Sequence, residues 1–210
     1  MSEQAAAPAA DPVEILPPGE VWAMITLQLA IFIAVGVGLW HLSGRLLSDF
    51  VTIDLRGALL GVAVGLALIG VFAALWRLFP DVGERLIRKQ APTYLAFGRP
   101  SPLLIVFVSI AAGAGEEALF RGGMQTLLGD HVAPWAAIAV SSAVFAAVHF
   151  AAPVVMVLIF LIGSLLGVVY DWSGSLFAVM LAHTLYDIWA VRYLFREFDR
   201  LGLYENTVNA

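Results

Sequence analysis

Long apolar runs separated by short polar connectors set the pattern of this chain. Residues 22–42, 58–76, 135–150 and 154–170 contain no Asp, Glu, Lys or Arg. Two further runs, 103–128 and 176–194, are apolar apart from a few charged positions. About 20 apolar residues in a helix cross the hydrocarbon core of a bilayer. The pattern therefore predicts six membrane-spanning helices, that is, an all-α polytopic integral membrane protein. Trp22 and Trp40 fall near the ends of the first run, at the depth where aromatic belts form. Gly61-x-x-x-Gly65 and Gly163-x-x-x-Gly167 supply small residues that let helices approach closely.

The connectors carry the charge. Residues 1–20 are rich in Ala and Pro and hold Glu3, Asp11, Glu14 and Glu20 without a Lys or Arg. This composition predicts a disordered tail. A secretory signal is excluded by the missing basic region and by the length of the apolar run that follows. Residues 43–57 form a polar connector with Arg45, Asp49, Asp54 and Arg56. The longest connector, 77–102, holds Arg77, Arg85, Arg88, Lys89 and Arg99. Its stretch 81–89 reads either as an amphipathic helix on anionic headgroups or as a solvated loop. Gly129-Asp130-His131 predicts a turn, and Pro134 suits the first turn of the next helix. Asp171-Trp172-Ser173-Gly174 predicts another turn, and 196–210 a C-terminal tail, amphipathic or frayed. Six spans place both termini on one side, which also carries most of the arginines. The positive-inside rule then makes both termini cytoplasmic.

Composition agrees. The 210 residues are 61% hydrophobic and 13% charged, with a mean hydropathy of +0.90. Soluble domains carry about 25% charged residues. A net charge of −5, spread along the chain, gives no basic footprint for nucleic acid. The absence of cysteine removes disulfides, thiolate nucleophiles and Cys-ligated zinc.

Against this background six polar residues stand out. Glu116, Glu117 and Arg121 interrupt the third run, His149 closes the fourth, and His183 and Asp187 lie in the sixth. Ionisable groups at membrane depth are costly and mark functional sites. In a helix, Glu117 and Arg121 share a face and can pair. Glu116 points about 100° away and is free for other work. Phe145 and His149, and His183 and Asp187, are each spaced i,i+4 and so share a face. One shared site built from three segments is the expectation. In a simple six-span layout Glu116 lies past the middle of one helix while His149 ends another, so the two meet only if the long third helix is displaced or bent.

Glu-Glu-x-x-x-Arg, Phe-x-x-x-His and His-x-x-x-Asn/Asp, in this order, resemble the CAAX protease and bacteriocin-processing family of intramembrane proteases. The likeness extends over residues 101–190. It implies a catalytic core of four helices at 101–195, before which the apolar pattern places two helices and a basic loop at 21–100. It also implies an endopeptidase acting on a membrane-associated protein or peptide tail, in the bacterial inner membrane. Members are associated with prenylated C-terminal tails, peptide maturation and bacteriocin immunity.

Two versions of the chemistry stay open. In one, Glu116, His149 and His183 bind a divalent metal such as zinc, which activates water. In the other no cofactor is needed: Glu116 and His149 activate water directly, and His183 with its neighbour stabilises the oxyanion. Many members of the family carry Asn where this chain has Asp187. An ionised Asp cannot donate to an oxyanion, and the departure favours metal. Other intramembrane chemistries fit less well. The nearest match to a Gly-x-Ser-Gly serine motif, Asp171-Trp172-Ser173-Gly174, lacks its first glycine. Tyr186-Asp187 follows Leu128-Gly129-Asp130 instead of preceding a Gly-x-Gly-Asp, so an aspartyl pair is disfavoured. The remaining alternative is a proton-coupled carrier or binding partner using the same Glu and His residues as a relay.

Overall fold

The computed structural model describes residues 13–209. Seven helices follow one another among these residues: α1 Pro18–Leu42, α2 Leu55–Leu78, α3 Pro80–Leu95, α4 Pro102–Gly129, α5 Pro134–Ala147, α6 Pro153–Ser173 and α7 Leu176–Arg200. Two three-residue strands, β1 Val13–Ile15 and β2 Thr207–Asn209, pair in parallel.

The helices start and stop for local reasons. Proline occupies the first turn of α1, α3, α4, α5 and α6, where its missing N–H costs nothing. Side chains of Asp54, Ser101 and Ser175 cap α2, α4 and α7. Gly174, at φ +66°, ends α6 in the left-handed conformation that glycine adopts without penalty.

The all-α membrane architecture is present, but not as six equal spans. Among the described residues α1, α2, α4 and α6 are long and apolar enough to cross a bilayer. α5 has only 14 residues, a rise of about 21 Å against a core of about 30 Å. It is therefore too short to cross that layer by itself. α7 has the length, 25 residues, but its second half carries Asp187, Arg192, Arg196, Glu197, Asp199 and Arg200. It leaves the apolar layer as a polar helical extension. α4 is not a regular helix throughout: after Glu117 it becomes π-helical over Ala118–Gln125. Such segments are rare and cluster at functional sites.

Close packing around α7 and α4 fixes the bundle. A Cβ built on Gly61 would lie 2.6 Å from the Ala178 carbonyl oxygen, and one on Gly65 3.1 Å from that of Ala182. Gly113 of α4 likewise meets the α7 backbone, and Gly36 of α1 abuts the Ala118 carbonyl where the π-helical turn begins. Without side chains at these positions, α7 sits between α2 and α4. Leu68, Phe72, Leu166, Leu176, Val179 and Ala182 fill the core beside it.

The expected tail at 1–20 needs correction from residue 13 onward, while residues 1–12 lie outside the described residues. Glu14 and its neighbours pair with the C-terminal strand, and the Leu16 N–H donates to the Ala96 carbonyl at 2.8 Å. Nor is the C-terminal end frayed. Ile87, Ala91, Leu95 and Phe198 form a second core, with Val13, Tyr94, Leu201 and Tyr204 packed against it. The stretch 81–89 is helical, as one of its two readings held, and the helix extends to Leu95. The two ends of the described residues, β1 and β2, thus meet at one end of the bundle, near α3.

The glycine contacts give a test. Gly61→Leu drives a side chain into a backbone carbonyl and is expected to destabilise the bundle by about 2–3 kcal/mol. Gly38→Leu, at a position with nothing within 4 Å of the added Cβ, is expected to be neutral. Thermal unfolding of both variants in the same detergent checks the difference.

Candidate functional site

The site grows from one fully buried pair. Glu117 and Arg121 have no solvent exposure, and Glu117 Oε2 lies 3.3 Å from Arg121 Nε. That contact is an ion pair without an aligned hydrogen bond, since neither atom has a hydrogen-bond partner among the described residues. The other groups of each side chain are held more firmly. His183 Nδ1 donates to Glu117 Oε1 at 2.8 Å, and Arg121 Nη2 donates to the Gly163 carbonyl at 2.7 Å. Three helices are tied through four atoms: α4, α6 and α7. Gly113 is what lets α7 come close enough for His183 to reach Glu117.

Phe145 is the apolar centre of the same cluster. It is 2% exposed, and the Arg121 guanidinium lies over its ring at 4.9 Å, within cation–π range. Its ring centroid is 4.7 Å from that of His149 and 6.1 Å from that of His183.

Glu116 points elsewhere, as the helical offset from Glu117 requires. Its Oε2 is 3.8 Å from His183 Nε2, and Asp187 Oδ2 is 3.5 Å from the same nitrogen. Glu116, His149, His183 and Asp187 all line one cavity of about 480 Å³, whose remaining wall is largely aliphatic and aromatic. Glu116 and His149 do meet at this one cavity, and α4 gives up regular geometry directly after the glutamates.

Two imidazoles are oriented by their partners. His149 Nδ1 contacts the Phe145 carbonyl at 2.6 Å. A carbonyl only accepts, so this nitrogen carries the proton and, in the neutral ring, Nε2 keeps its lone pair. His183 Nδ1 is committed to Glu117, leaving Nε2 facing Glu116 and Asp187.

The metal set Glu116, His149 and His183 is not assembled as a ligand cage. Among the described residues no group of three or more His, Cys, Asp or Glu side chains is placed to hold a metal ion. Of the six residues read from the sequence, the buried pair supports His183, and the other four surround the cavity or its rim.

Sequence reasoning missed three participants. Gln125 sits one turn beyond Arg121 and donates to the Gly167 carbonyl at 2.9 Å, so Gly163-x-x-x-Gly167 presents two carbonyls to two polar side chains of α4. A polar residue at i+4 from a buried arginine was the available signal. Gln90 and Tyr94 line the cavity from α3. They lie in a connector whose amphipathic pattern says nothing about what it covers.

Removing Arg121 leaves Glu117 buried without its cation. Arg121→Ala is expected to cost about 3–5 kcal/mol, read as a lowered unfolding temperature and folded yield in detergent. An unfolding temperature equal to wild type would show that the pair carries no such weight.

Comparison with known proteins agrees with this arrangement. The family model for Type II CAAX prenyl endopeptidase Rce1-like proteins matches residues 98–189, the stretch that holds all six residues. An uncharacterized protein of Bacillus subtilis (strain 168), YpbD, is 30% identical over 168 residues, covering 78% of this chain and 83% of that protein. No solved structure matches. With the three motifs in order, the buried pair and these similarities together, the chain belongs to the Rce1-like family of type II CAAX prenyl endopeptidases.

Proposed function

We propose that this protein is an intramembrane endopeptidase that hydrolyses a peptide bond in a membrane-associated protein or peptide tail, with Glu116 and His149 activating water. The observation that carries this reading is the cavity itself. An uncommitted carboxylate and an oriented imidazole line it, while the neighbouring glutamate is locked in an ion pair behind it. The apolar wall suits a substrate segment that resides in or on the bilayer.

The chemistry follows from the donor and acceptor assignments. Glu116, assisted by the free Nε2 of His149, takes a proton from a water molecule as its oxygen bonds to the scissile carbonyl carbon. The carbonyl oxygen becomes an oxyanion, which hydrogen-bond donors at the cavity must hold. Glu116 then returns its proton to the departing amide nitrogen. The C–N bond breaks, giving a carboxylic acid and an amine, which part as carboxylate and ammonium. Glu117 and Arg121 touch no substrate in this scheme. They position His183 and fix α4. Asp187 orients the Nε2 side of His183. In this scheme the protein's own side chains activate the water, and no step runs through a metal. Both termini are assigned to the cytoplasm, since they share one end of the bundle and the surrounding connector and α7 extension carry most of the arginines.

Glu116→Gln is expected to abolish cleavage while the protein inserts, purifies and unfolds as wild type. Peptide-terminus profiling of membranes from cells with the wild type or the variant checks this. Uncleaved membrane-tethered species should accumulate only with the variant, and identical profiles would overturn the assignment.

The purified enzyme, stripped exhaustively with a strong chelator and shown to be metal-free, is expected to keep cleaving a peptide identified in that way. Loss of activity restored by zinc or cobalt would replace direct water activation with a metal mechanism.

A further inference from the structure

The hydrolytic site as described is short of donors. Arg121 is sealed from solvent and spends its guanidinium on Glu117 and the Gly163 carbonyl. His149 Nδ1 is taken by Phe145 and His183 Nδ1 by Glu117, while His183 Nε2 faces the two carboxylates, 3.8 Å from Glu116 and 3.5 Å from Asp187. Glu116 and Asp187 are acceptors when ionised. An oxyanion forming beside two carboxylates requires a neutral donor that those carboxylates do not discharge.

α3 offers one. Gln90 and Tyr94, spaced i,i+4, share a face of this helix and both line the cavity with Glu116, His183 and Asp187. The Tyr94 ring is anchored in the second core, against Ile87, Ala91, Leu95 and Phe198. Its hydroxyl differs from those of Tyr170 and Tyr204, which contact the Thr126 hydroxyl and donate to the Gly98 carbonyl. Among the described residues the Tyr94 hydroxyl has no such partner. Both Glu116 and Asp187 act on it electrostatically. Burial first, and then the two negative charges, push the Tyr94 hydroxyl up from its ordinary range, which keeps its proton in place. α3 also lies outside the residues matched by the family model, so the shared motifs do not supply this group.

We infer that the Tyr94 hydroxyl donates a hydrogen bond to the scissile carbonyl oxygen and stabilises the oxyanion that forms there, a role that rests on the hydrolytic reading above. A helix that lies outside the apolar spans thereby completes a site built within them. Hydrogen bonding replaces what an Asn at position 187 could have donated. No bond forms or breaks at Tyr94. Its proton stays on the phenol while the carbonyl carbon passes through its tetrahedral stage.

The test has two arms. In the first, 3-fluorotyrosine is placed at position 94 of the full-length protein and its ¹⁹F resonance followed in detergent. The resonance is expected to move in Glu116→Gln and in Asp187→Asn, and to stay put in Asp49→Asn at the other end of the bundle. In the second, Tyr94→Phe keeps the ring packing and removes the donor. It is expected to lower kcat on a peptide identified by terminus profiling about 10²-fold, with KM and the unfolding temperature unchanged. Tyr94→Ala, which also loses the packing, is expected to lower the unfolding temperature as well. A fluorine signal blind to Glu116 and Asp187, or a Tyr94→Phe enzyme with wild-type kcat, overturns the role of Tyr94 alone. Failure of the hydrolytic reading is recognised separately, by a peptide profile that Glu116→Gln leaves unchanged.

Discussion

A charge buried in a membrane bundle has to be answered from within the bundle, and in this protein the answer organises three helices. Glu117 cannot reach solvent, so its two oxygens are met by Arg121 from its own helix and by His183 from α7. Arg121 in turn reaches the Gly163 carbonyl of α6. Breaking any one of these leaves an unpaired group in a low-dielectric interior, at a cost well above that of an exposed contact. Such a cluster contributes little net stability compared with apolar packing. It does specify which helix faces which, and at what height, because the partners meet in one register only.

That register depends on what is missing elsewhere. Glycines at 61, 65 and 113 bring α7 against α2 and α4, so that His183 stands level with the glutamates. His149, just past the end of the short α5, stands at the edge of the same cavity. The π-helical stretch from Ala118 begins directly after Glu117. Departures from regular, full-length helices thus gather at one place. Irregular backbone within a membrane bundle is tolerated where protein surrounds it or where it borders a cavity.

The second core, where α3 packs on the end of α7 and β1 pairs with β2, ties the polar end of the bundle to the site. Phe198 is fully buried in it, and the Arg99–Asp199 and Glu84–Arg200 contacts at its surface are exposed ion pairs. Exposed pairs of this kind carry little energy. The apolar cluster beneath them holds α3 over the cavity, and with it Gln90 and Tyr94.

Much was determined by the sequence alone. Apolar runs longer than any soluble core requires made the all-α membrane class inevitable, and ionisable residues set into those runs were costly enough to mark the site. The Glu117–Arg121 pairing followed from a spacing of four within one helix, and the freedom of Glu116 from its offset around that helix. These are local consequences of helical geometry, so periodicity reveals them. What only the tertiary structure decided depends on contacts between distant segments. Nothing in 135–150 fixes where α5 stops, because its apolar residues continue through the end of the helix. The ordering of residues 13–20 depends on a strand almost two hundred positions later in the chain, a pairing that the composition of the tail cannot encode. The commitment of His183 Nδ1 to Glu117 arises from how closely α7 approaches α4. The place of Tyr94 at the cavity wall arises from α3 folding back over the bundle. Spacing along one helix says which face a side chain occupies, and only packing says what that face meets.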